Sequence, residues 1–323
     1  MSTSWDEAEG TWTVEVERKE SGEKRTFHPR HIIQATGHSG EKNMPAIDGI
    51  DTFQGDVLCH SSEFAGAKAN SQGKKAVVVG SCNSAHDIAQ DFLERGYDVT
   101  IVQRSSTCVW SSKGVTDIAN AGAYEEGGPH VDEGDLLVHG SPSAALKADH
   151  IIRVNKAVNK LDADILDGLA RAGFKVDRGP DDAGLLIKYF QRGGGYYIDV
   201  GASRLIADGK IKIKQGQEIA AVLPRGLRFA DGSELEADEV VFATGYQNMR
   251  TQTAAMFGGD VAAKVGDVWG FNEEGEIKNI WQPSGHRGFW FHGGNLALCR
   301  YYSLPLALQI KGLEAGLYKE GDI

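Results

Sequence analysis

A continuous apolar run followed by an amphipathic stretch is the clearest pattern in the chain. Residues 76–79 are apolar throughout, which predicts a buried strand, and a helical period then continues until Gly96. The residues that share one face of this helix are Ile88, Ala89, Phe92 and Leu93. Residues 97–104 supply a second strand. This order of elements predicts half of a βαβ unit and, with it, a parallel sheet.

The first forty residues show a pattern typical of antiparallel strands. Residues 11–18 alternate between apolar and polar side chains, and residues 20–23 supply a turn. Residues 31–34 form a short apolar strand that runs into Ala35, Thr36 and Gly37. We therefore predict a β-meander that ends in a strand with a glycine exit.

The middle of the chain is less regular. Residues 40–73 contain Pro45 and repeated glycine with little periodicity, which predicts a linker with local turns. Helical patterns cover residues 144–157 and 160–172. The glycine run 193–195 is typical either of a mobile loop near a ligand or of an ordinary solvent loop.

Two patterns near the end of the chain lead from a strand into glycine. A hairpin and a strand end in Ala243, Thr244 and Gly245, so the strand–Ala-Thr-Gly sequence occurs twice in the chain. Residues 288–316 predict a strand, a double glycine and a long helix. The repeated Ala-Thr-Gly suggests two related sheet edges.

Composition narrows the class of protein. A chain of 323 residues with 41% hydrophobic and 24% charged residues is typical of one large or two ordinary globular domains. The net charge of −11 argues against nucleic acid or an anionic membrane as partner. A phosphate ligand remains compatible, because backbone donors bind it locally. The polar start and the lack of a run of roughly 18 apolar residues predict a cytoplasmic protein.

The cysteines exclude two kinds of site. Cys59, Cys82, Cys108 and Cys299 form no CxxC pair, and no His/Cys cluster has the spacing of metal ligands. We expect neither a redox dithiol nor a zinc site. Scattered single cysteines suit a reducing compartment.

The turn between the strand and the helix is close to a dinucleotide fingerprint. Gly80 and Ala85 occupy its outer positions, while Cys82 stands where the middle glycine would let the backbone approach a pyrophosphate. Cysteine is small, and the helix start still offers free N–H groups to an anion. Ser81, Asn83 and Ser84 can supply further donors. We predict a nucleotide site at this turn.

The residue after the second strand favours one nucleotide. An NAD site carries Asp or Glu there to bind the ribose 2′-hydroxyl, whereas this chain has Arg104 followed by Ser105. A cation with hydroxyls suits a 2′-phosphate, which predicts NADP(H). The competing interpretation is a plain βαβ turn with an exposed arginine.

With these residues in view, the chain resembles the flavin-containing monooxygenases. Its stretch 53–64 is similar to their signature, with Phe53, Gly55, His60 and Phe64 at the matching positions. Cys59 adds one residue between the glycine and the histidine. The last aromatic is Phe, where the related Baeyer–Villiger enzymes carry Trp, which favours oxygenation of a heteroatom or of a carbonyl side chain, as in the flavin-containing monooxygenases.

Four further motifs follow in the order that the family has. Residues 80–87 resemble the family's NADPH loop, and residues 35–37 and 243–246 resemble its two crossings between domains. Gly293, Gly294 and Asn295 open the last helix, whose start lies near the flavin in such enzymes. The resemblance therefore implies cofactor contacts at Ala35, Thr36, Gly37, His60, Thr244, Gly245, Tyr246, Gly294 and Asn295. The alternatives are a hydrogen-bonded loop histidine for His60 and a packing role for Tyr246.

The resemblance implies NADPH and FAD as cofactors and insertion of one oxygen atom from O2 into a soft nitrogen or sulfur nucleophile of a small-molecule substrate. The family's N-terminal fingerprint for FAD is not found in the chain, so we expect a truncated form with weak or absent FAD binding. Two alternatives remain open: an inactive NADP(H)-binding remnant, and a flavin disulfide reductase, which the missing CxxC opposes.

The predicted fold class is α/β, with a doubly wound Rossmann-like NADPH domain inserted in an incomplete FAD-binding domain that carries the β-meander. The predicted segments are 1–39 for the remnant of the FAD domain, 40–73 for the linker with the family signature, 74–245 for the NADPH domain and 246–323 for the return to the FAD domain.

Overall fold

The computed structural model describes residues 2–319. Residue 1 and residues 320–323, which fall in the first and last predicted segments, lie outside the described residues. The strands of the described part are β1 Ser2–Asp6, β2 Thr11–Glu17, β3 Lys24–Phe27, β4 Ile32–Gln34, β5 Val57–His60, β6 Lys75–Val79, β7 Asp98–Gln103, β8 Thr107–Ser111, β9 Val176–Asp177, β10 Tyr196–Asp199, β11 Ile211–Gln215, β12 Ile219–Leu223, β13 Gly226–Phe229, β14 Glu234–Glu236, β15 Glu239–Phe242 and β16 Phe289–Phe291.

The α-helices of the same part are α1 Asn83–Glu94, α2 Ser112–Gly114, α3 Val131–His139, α4 Ser143–Asp149, α5 Asn155–Leu161, α6 Ala163–Arg171, α7 Gly184–Arg192, α8 Ala202–Ala207, α9 Met249–Phe257, α10 Gly259–Lys264 and α11 Leu296–Glu314. Two π-helical stretches, Val115–Ala119 and His150–Val154, continue α2 and α4. Short 3-10 turns cover Ile50–Thr52, Ser61–Glu63 and Pro180–Asp182. None of the helices in the described residues is long and apolar enough to cross a membrane.

The chain forms two compact units, and each is made of separate segments. Unit 1 contains the residues up to 41, residues 122–144 and the residues from 246 onward. Unit 2 contains residues 42–121 and 145–245. The chain therefore leaves unit 1 and returns to it twice.

Unit 1 contains the predicted meander and a pair of parallel strands. Strands β1, β2 and β3 form an antiparallel sheet in that order, and β4 pairs in parallel with β16. Trp12 of β2 is fully buried, and its indole N–H donates to the Gly288 carbonyl at 3.0 Å. This bond ties the meander to the strand that leads into α11.

Unit 2 is built on a five-stranded parallel sheet in the order β11-β7-β6-β15-β5. Side chains alternate between its two faces. Ala76 and Val78 of β6 pack with α1, α6 and α8, whereas Val77 and Val79 pack with the antiparallel strands β12 to β14. The central strands are buried on both faces, which explains their unbroken apolar sequence.

The predicted α/β class and the Rossmann-like parallel sheet are confirmed. One detail differs from a doubly wound sheet with helices on both faces, because β12–β14 cover the second face of this sheet. Strands β8, β9 and β10 form a further small parallel sheet in the order β10-β8-β9.

One prediction from the sequence needs correction in local structure. The segment 40–73, predicted as a linker, contains β5, which pairs in parallel with β15 at the edge of the sheet. The glycine run 193–195 lies outside helices and strands, between α7 and β10, which pairs with β8. The residues of β5 do not alternate between apolar and polar, so no period in the sequence indicated a strand there.

Candidate functional site

The parallel sheet of unit 2 has a topological switch point next to β6. From β6 the chain proceeds through α1 to β7 and later to β11 on one side, while β15 lies on the other side. Ligands of open α/β sheets bind outside the carboxyl ends of the strands at such a point. Gly80 follows β6 and Ala243 follows β15, so the two sequence motifs of unit 2 meet at this edge.

Gly80 is fixed by backbone on two sides. Its φ is +129°, a conformation open to glycine, and a Cβ built on it would stand 2.2 Å from the Ala243 carbonyl oxygen. Its amide donates to the Val102 carbonyl at 2.9 Å. The first glycine of the predicted fingerprint is therefore required by the close approach of three strand ends.

The N-terminus of α1 offers unused backbone donors. Cys82 is the N-cap, and its side chain makes no capping hydrogen bond. The amides of Ala85 and His86 donate to the Cys82 carbonyl at 3.0 and 3.2 Å, whereas Asn83 and Ser84 come too early in the helix to reach an intrahelical carbonyl. With no side-chain cap present, these first amides and the helix dipole suit a phosphate group.

The side chains of the loop are engaged with the supporting strands. Burial raises the pKa of the Cys82 thiol. Asn83 Oδ1 accepts from the Ile198 amide at 2.9 Å, and Ser81 Oγ lies 2.8 Å from Thr107 Oγ1. The loop is thus held to β8 and β10 by its side chains.

Arg104 lies at the carboxyl end of β7, the strand next to β6. Its side chain is 73% exposed, and its Nε lies 3.9 Å from Glu218 Oε1. Ser105 beside it is also exposed, as is Ser84 at the helix start. The guanidinium is accessible to a ligand at the sheet edge, and its only ion pair among the described residues is this long, solvent-exposed one.

His60 supports the other strand exit. It is fully buried at the end of β5; its Nδ1 accepts from the Ser62 amide at 3.2 Å, so its Nε2–H donates to the Gly245 carbonyl at 2.9 Å. Thr244 Oγ1 donates to the Asn43 carbonyl at 2.6 Å, and the Asn43 amide donates to the Gly245 carbonyl at 2.9 Å. These bonds fix the Ala-Thr-Gly turn after β15.

Unit 1 has a second pair of strand exits. Ala35, Thr36 and Gly37 follow β4, and residues 292–295 follow its parallel partner β16. A Cβ built on Gly293 would stand 2.3 Å from the Gly37 carbonyl oxygen, so the two turns are in contact. The repeated strand–glycine exits predicted from the sequence thus occur at parallel strands of both units.

The turn after β16 opens the longest helix. Gly294 has a φ of +101°, and Asn295 is the N-cap of α11, with its Oδ1 accepting from the Leu298 amide at 3.0 Å. Thr36 Oγ1 donates to Gln252 Oε1 at 2.6 Å. Tyr246, the first residue of the return to unit 1, is 44% exposed. Cofactor contacts by these residues stay predictions.

Sequence reasoning missed His86, which lies inside α1. Its ring is fully buried and stacks on Tyr197 with ring centroids 3.7 Å apart. Nδ1 donates to the Cys82 carbonyl at 3.0 Å, while Nε2 has no partner among the described residues. Burial lowers the pKa of this imidazole to about 4. The one signal in the sequence was a polar residue three positions before Ala89, on the apolar side of the helix.

Two plant monooxygenases are similar to the chain in sequence. The chain is 29% identical over 248 residues to the probable indole-3-pyruvate monooxygenase YUCCA10 of Arabidopsis thaliana, which covers 76% of this chain and 56% of the relative. It is 28% identical over 292 residues to the probable indole-3-pyruvate monooxygenase YUCCA3 of the same plant, covering 89% and 58%. The chain thus spans less than three fifths of the length of these two relatives.

Solved structures share the fold. Oxidized steroid monooxygenase bound to NADP matches with a TM-score of 0.61 and 15% identity, covering 98% of this chain and 66% of that one. The complex of OTEMO with FAD and NADP matches with a TM-score of 0.57 and 14% identity, covering 98% and 67%. The resemblance to flavin-containing monooxygenases is confirmed.

A family model overlaps the same region. The family described as pyridine nucleotide-disulphide oxidoreductase matches residues 14–117, which contain part of β2, all of β3 and β4, and the βαβ unit β6-α1-β7. All four cysteines are free thiols, so the described residues hold no disulfide for such chemistry.

Proposed function

We propose that the protein is an NADP(H)-binding oxidoreductase of the flavin monooxygenase type. The observation that carries this proposal is the arrangement of residues at the switch point of unit 2, where we place a nucleotide crevice. There the glycine exit of β6, the uncapped start of α1 and the exposed Arg104 occupy one edge of a parallel sheet. A pyrophosphate needs backbone donors and a helix start, and this edge provides both.

Different residues of the crevice would bind different parts of the nucleotide. The amides from Ser81 to Ser84 would bind the pyrophosphate, and Gly80 keeps the approach open. Arg104 and Ser105 would bind a 2′-phosphate. NADP(H) is favoured over NAD because the end of β7 carries a cation in place of the carboxylate that a free ribose hydroxyl prefers.

The flavin part of the proposal concerns unit 1. The close contact of Gly37 with Gly293 leaves backbone, without side chains, at the carboxyl ends of β4 and β16. Asn295 starts a helix there with an exposed first turn, in which Leu296 is 87% exposed. These residues would bind FAD, which supplies hydride transfer and oxygen activation when bound. The chain's own residues would position the flavin at that edge and would provide polar backbone groups beside it.

The substrate belongs to the same proposal. We infer a small molecule with a soft nucleophilic nitrogen or sulfur, because Phe64 stands where Baeyer–Villiger enzymes carry Trp. The plant relatives are named for indole-3-pyruvate, and several structural relatives are named for cyclic ketones or steroids. A cytoplasmic location without nucleic acid or membrane partners is part of the proposal.

A second candidate is an NADP(H)-binding protein without turnover. One observation favours it: no turn of the G-x-G-x-x-G type lies in the part of unit 1 that the structure describes. The pyrophosphate of FAD would then lack the donors that such a turn gives. In this case unit 2 would bind nucleotide and unit 1 would hold flavin weakly.

Reconstitution separates the two candidates. The purified chain is mixed with FAD, passed over a desalting column, and assayed for retained flavin absorbance and for oxygen uptake on addition of NADPH. The monooxygenase proposal expects a yellow protein that consumes oxygen with NADPH. A colourless protein that still binds NADP+ supports the second candidate, and a chain that binds neither cofactor contradicts both. Arg104→Ala is the matched variant, in which NADPH-dependent uptake should fall while flavin retention is unchanged.

A further inference from the structure

Unit 2 contains a pocket that none of the predicted cofactor residues lines. Its volume is about 500 Å³, within the range of small-molecule sites. The residues that line it are Ile151, Asn155, Lys156, Asn159, Lys160, Arg178 and Asp182. Six of these seven side chains are polar or charged.

The fold builds this pocket from one helix and one loop. The helix is α5 with the π-helical stretch His150–Val154 before it, and its pairs 155/159 and 156/160 each lie one turn apart on the same side. The loop is the turn after β9 that carries Arg178 and Asp182. π-helical turns within helices are frequent at functional sites.

Asn155 joins the two walls. Its side chain is only 2% exposed, and its Nδ2 donates to the carbonyls of Arg178 and Asp182 at 3.1 and 2.6 Å. Its Oδ1 accepts from the indole N–H of Trp110 at 3.2 Å. Asn155 therefore positions the loop. Both hydrogen bonds that its Nδ2 donates go to the loop backbone.

The loop that Asn155 holds has an unfavourable backbone conformation. Asp181 and Asp182 are consecutive non-glycine residues with φ of +52° and +61°. Each such residue costs of the order of 1 kcal/mol and persists only where its surroundings fix it. This conformation occurs in the loop that carries Arg178 and Asp182, two residues that line the pocket.

The charges of the pocket are unbalanced. Lys156, Lys160 and Arg178 are exposed, and none of them makes an ion pair with any residue from 2 to 319. Elsewhere in this acidic chain many cations face a carboxylate, as Lys147 does with Asp181 at 2.6 Å. Asp182 is the only acid in the lining, so three positive charges face one negative charge.

We propose that this pocket binds a small polyanion through Lys156, Lys160 and Arg178. The guanidinium can bind two oxygens of one acid group, and the two ammonium groups add charge from the opposite wall. Phosphate groups and clustered carboxylates share this chemistry. The site is distinct from the nucleotide crevice and does not depend on it.

Calorimetry of the full chain tests the proposal with two probes, inorganic pyrophosphate and citrate. Each is titrated with and without saturating NADP+, because pyrophosphate could also enter the nucleotide crevice. We expect at least one probe to bind at one site in the pocket, and this binding should persist in the presence of NADP+. The double variant K156A/K160A should weaken the affinity for that probe about tenfold or more. Lys210→Ala, at an exposed lysine elsewhere in unit 2, is the control and should bind as the wild type does.

The outcomes separate the ligand classes and the two sites. A preference for pyrophosphate identifies a phosphate ligand, and a preference for citrate identifies a polycarboxylate. Binding of neither probe overturns the proposal, as does binding that K156A/K160A and R178A leave unchanged. Binding that NADP+ abolishes belongs to the crevice and also overturns it. If NADP+ itself does not bind, the lysine and arginine variants alone decide, so the failure of the nucleotide proposal is seen separately.

Discussion

A Cβ on Gly80 would stand 2.2 Å from the carbonyl oxygen of Ala243, although 163 residues separate the two in sequence. This contact joins the exits of β6 and β15, the strands on either side of the switch point. The two motifs that the sequence shows separately are therefore parts of one edge. The nucleotide proposal depends on this edge being open to a ligand.

Gly80→Ala should destabilise unit 2 by about 2–5 kcal/mol, because it adds both an unfavourable φ and a clash with backbone. Gly209→Ala separates the two causes, since Gly209 also has a positive φ, +72°, but nothing within 4 Å of its Cβ position. The control should cost about 1 kcal/mol. Chemical denaturation of the three proteins checks this, and equal losses in both variants would contradict the contact.

Arg104→Ala should weaken NADPH by about 1–3 kcal/mol, the cost of a lost charged hydrogen bond, and leave NADH almost unchanged. Dissociation constants of the two nucleotides, measured by fluorescence titration, give the comparison. Equal loss for both would contradict the 2′-phosphate assignment.

Glu218→Gln tests the same 2′-phosphate assignment, but this variant should raise the affinity for NADPH where Arg104→Ala lowers it. Glu218 Oε1 lies 3.9 Å from Arg104 Nε, so its charge would repel a 2′-phosphate at that position. The variant should bind NADPH about two- to threefold more tightly, since an exposed pair is worth less than 1 kcal/mol. Weaker NADPH binding in Glu218→Gln would show that the phosphate lies elsewhere.

Cys82→Gly should retain NADP(H) affinity within about threefold, a difference of well under 1.4 kcal/mol. The reason is that backbone amides, and not the thiol, would bind the pyrophosphate, and that the N-cap backbone is extended, with a φ of −104° that glycine adopts as well. The measurement is the same fluorescence titration. A large loss would mean that the thiol contacts the nucleotide.

His86 should make stability depend on pH. Unfolded histidine binds a proton below about pH 6.5, whereas burial holds the pKa of His86 at about 4, so acid favours the unfolded state. Stability should fall as the pH drops from 7 towards 4, with about 2 kcal/mol lost at pH 5 through this group. His86→Phe, which keeps a ring next to Tyr197, should flatten that slope in urea unfolding. Replacement of the exposed His28 is the control, and an unchanged slope in His86→Phe would contradict the assignment.

Much of unit 2 follows from its sequence. The continuous apolar strand at 76–79 and the helix face at Ile88 and Phe92 are local patterns, and both elements are where they predict. The edge strand β5 was missed because its sequence, Val57 to His60, does not alternate between apolar and polar residues. The assignment of residues 122–144 to unit 1 was also missed. It depends on long-range contacts such as the ion pair of Asp135 with Arg300.

The candidate site was found only in part. Gly80 and Arg104 belong to one recognisable strand–turn–helix–strand pattern, so their position at the same sheet edge could be predicted from the sequence. The support behind it was not, because Asn83 bonds to Ile198 and His86 stacks on Tyr197 across more than a hundred residues. Such pairs are set by the tertiary fold. The loop of the polyanion pocket likewise contains positive φ angles at Asp181 and Asp182, which the amino-acid composition does not predict.

The most direct test is a calorimetric titration of the purified chain with NADP+, followed by soaking of crystals in the same nucleotide. The account predicts saturable binding at one site per chain, with the pyrophosphate against the amides of Ser81 to Ser84 and the 2′-phosphate at Arg104. No heat of binding and an empty crevice at millimolar NADP+ would contradict it.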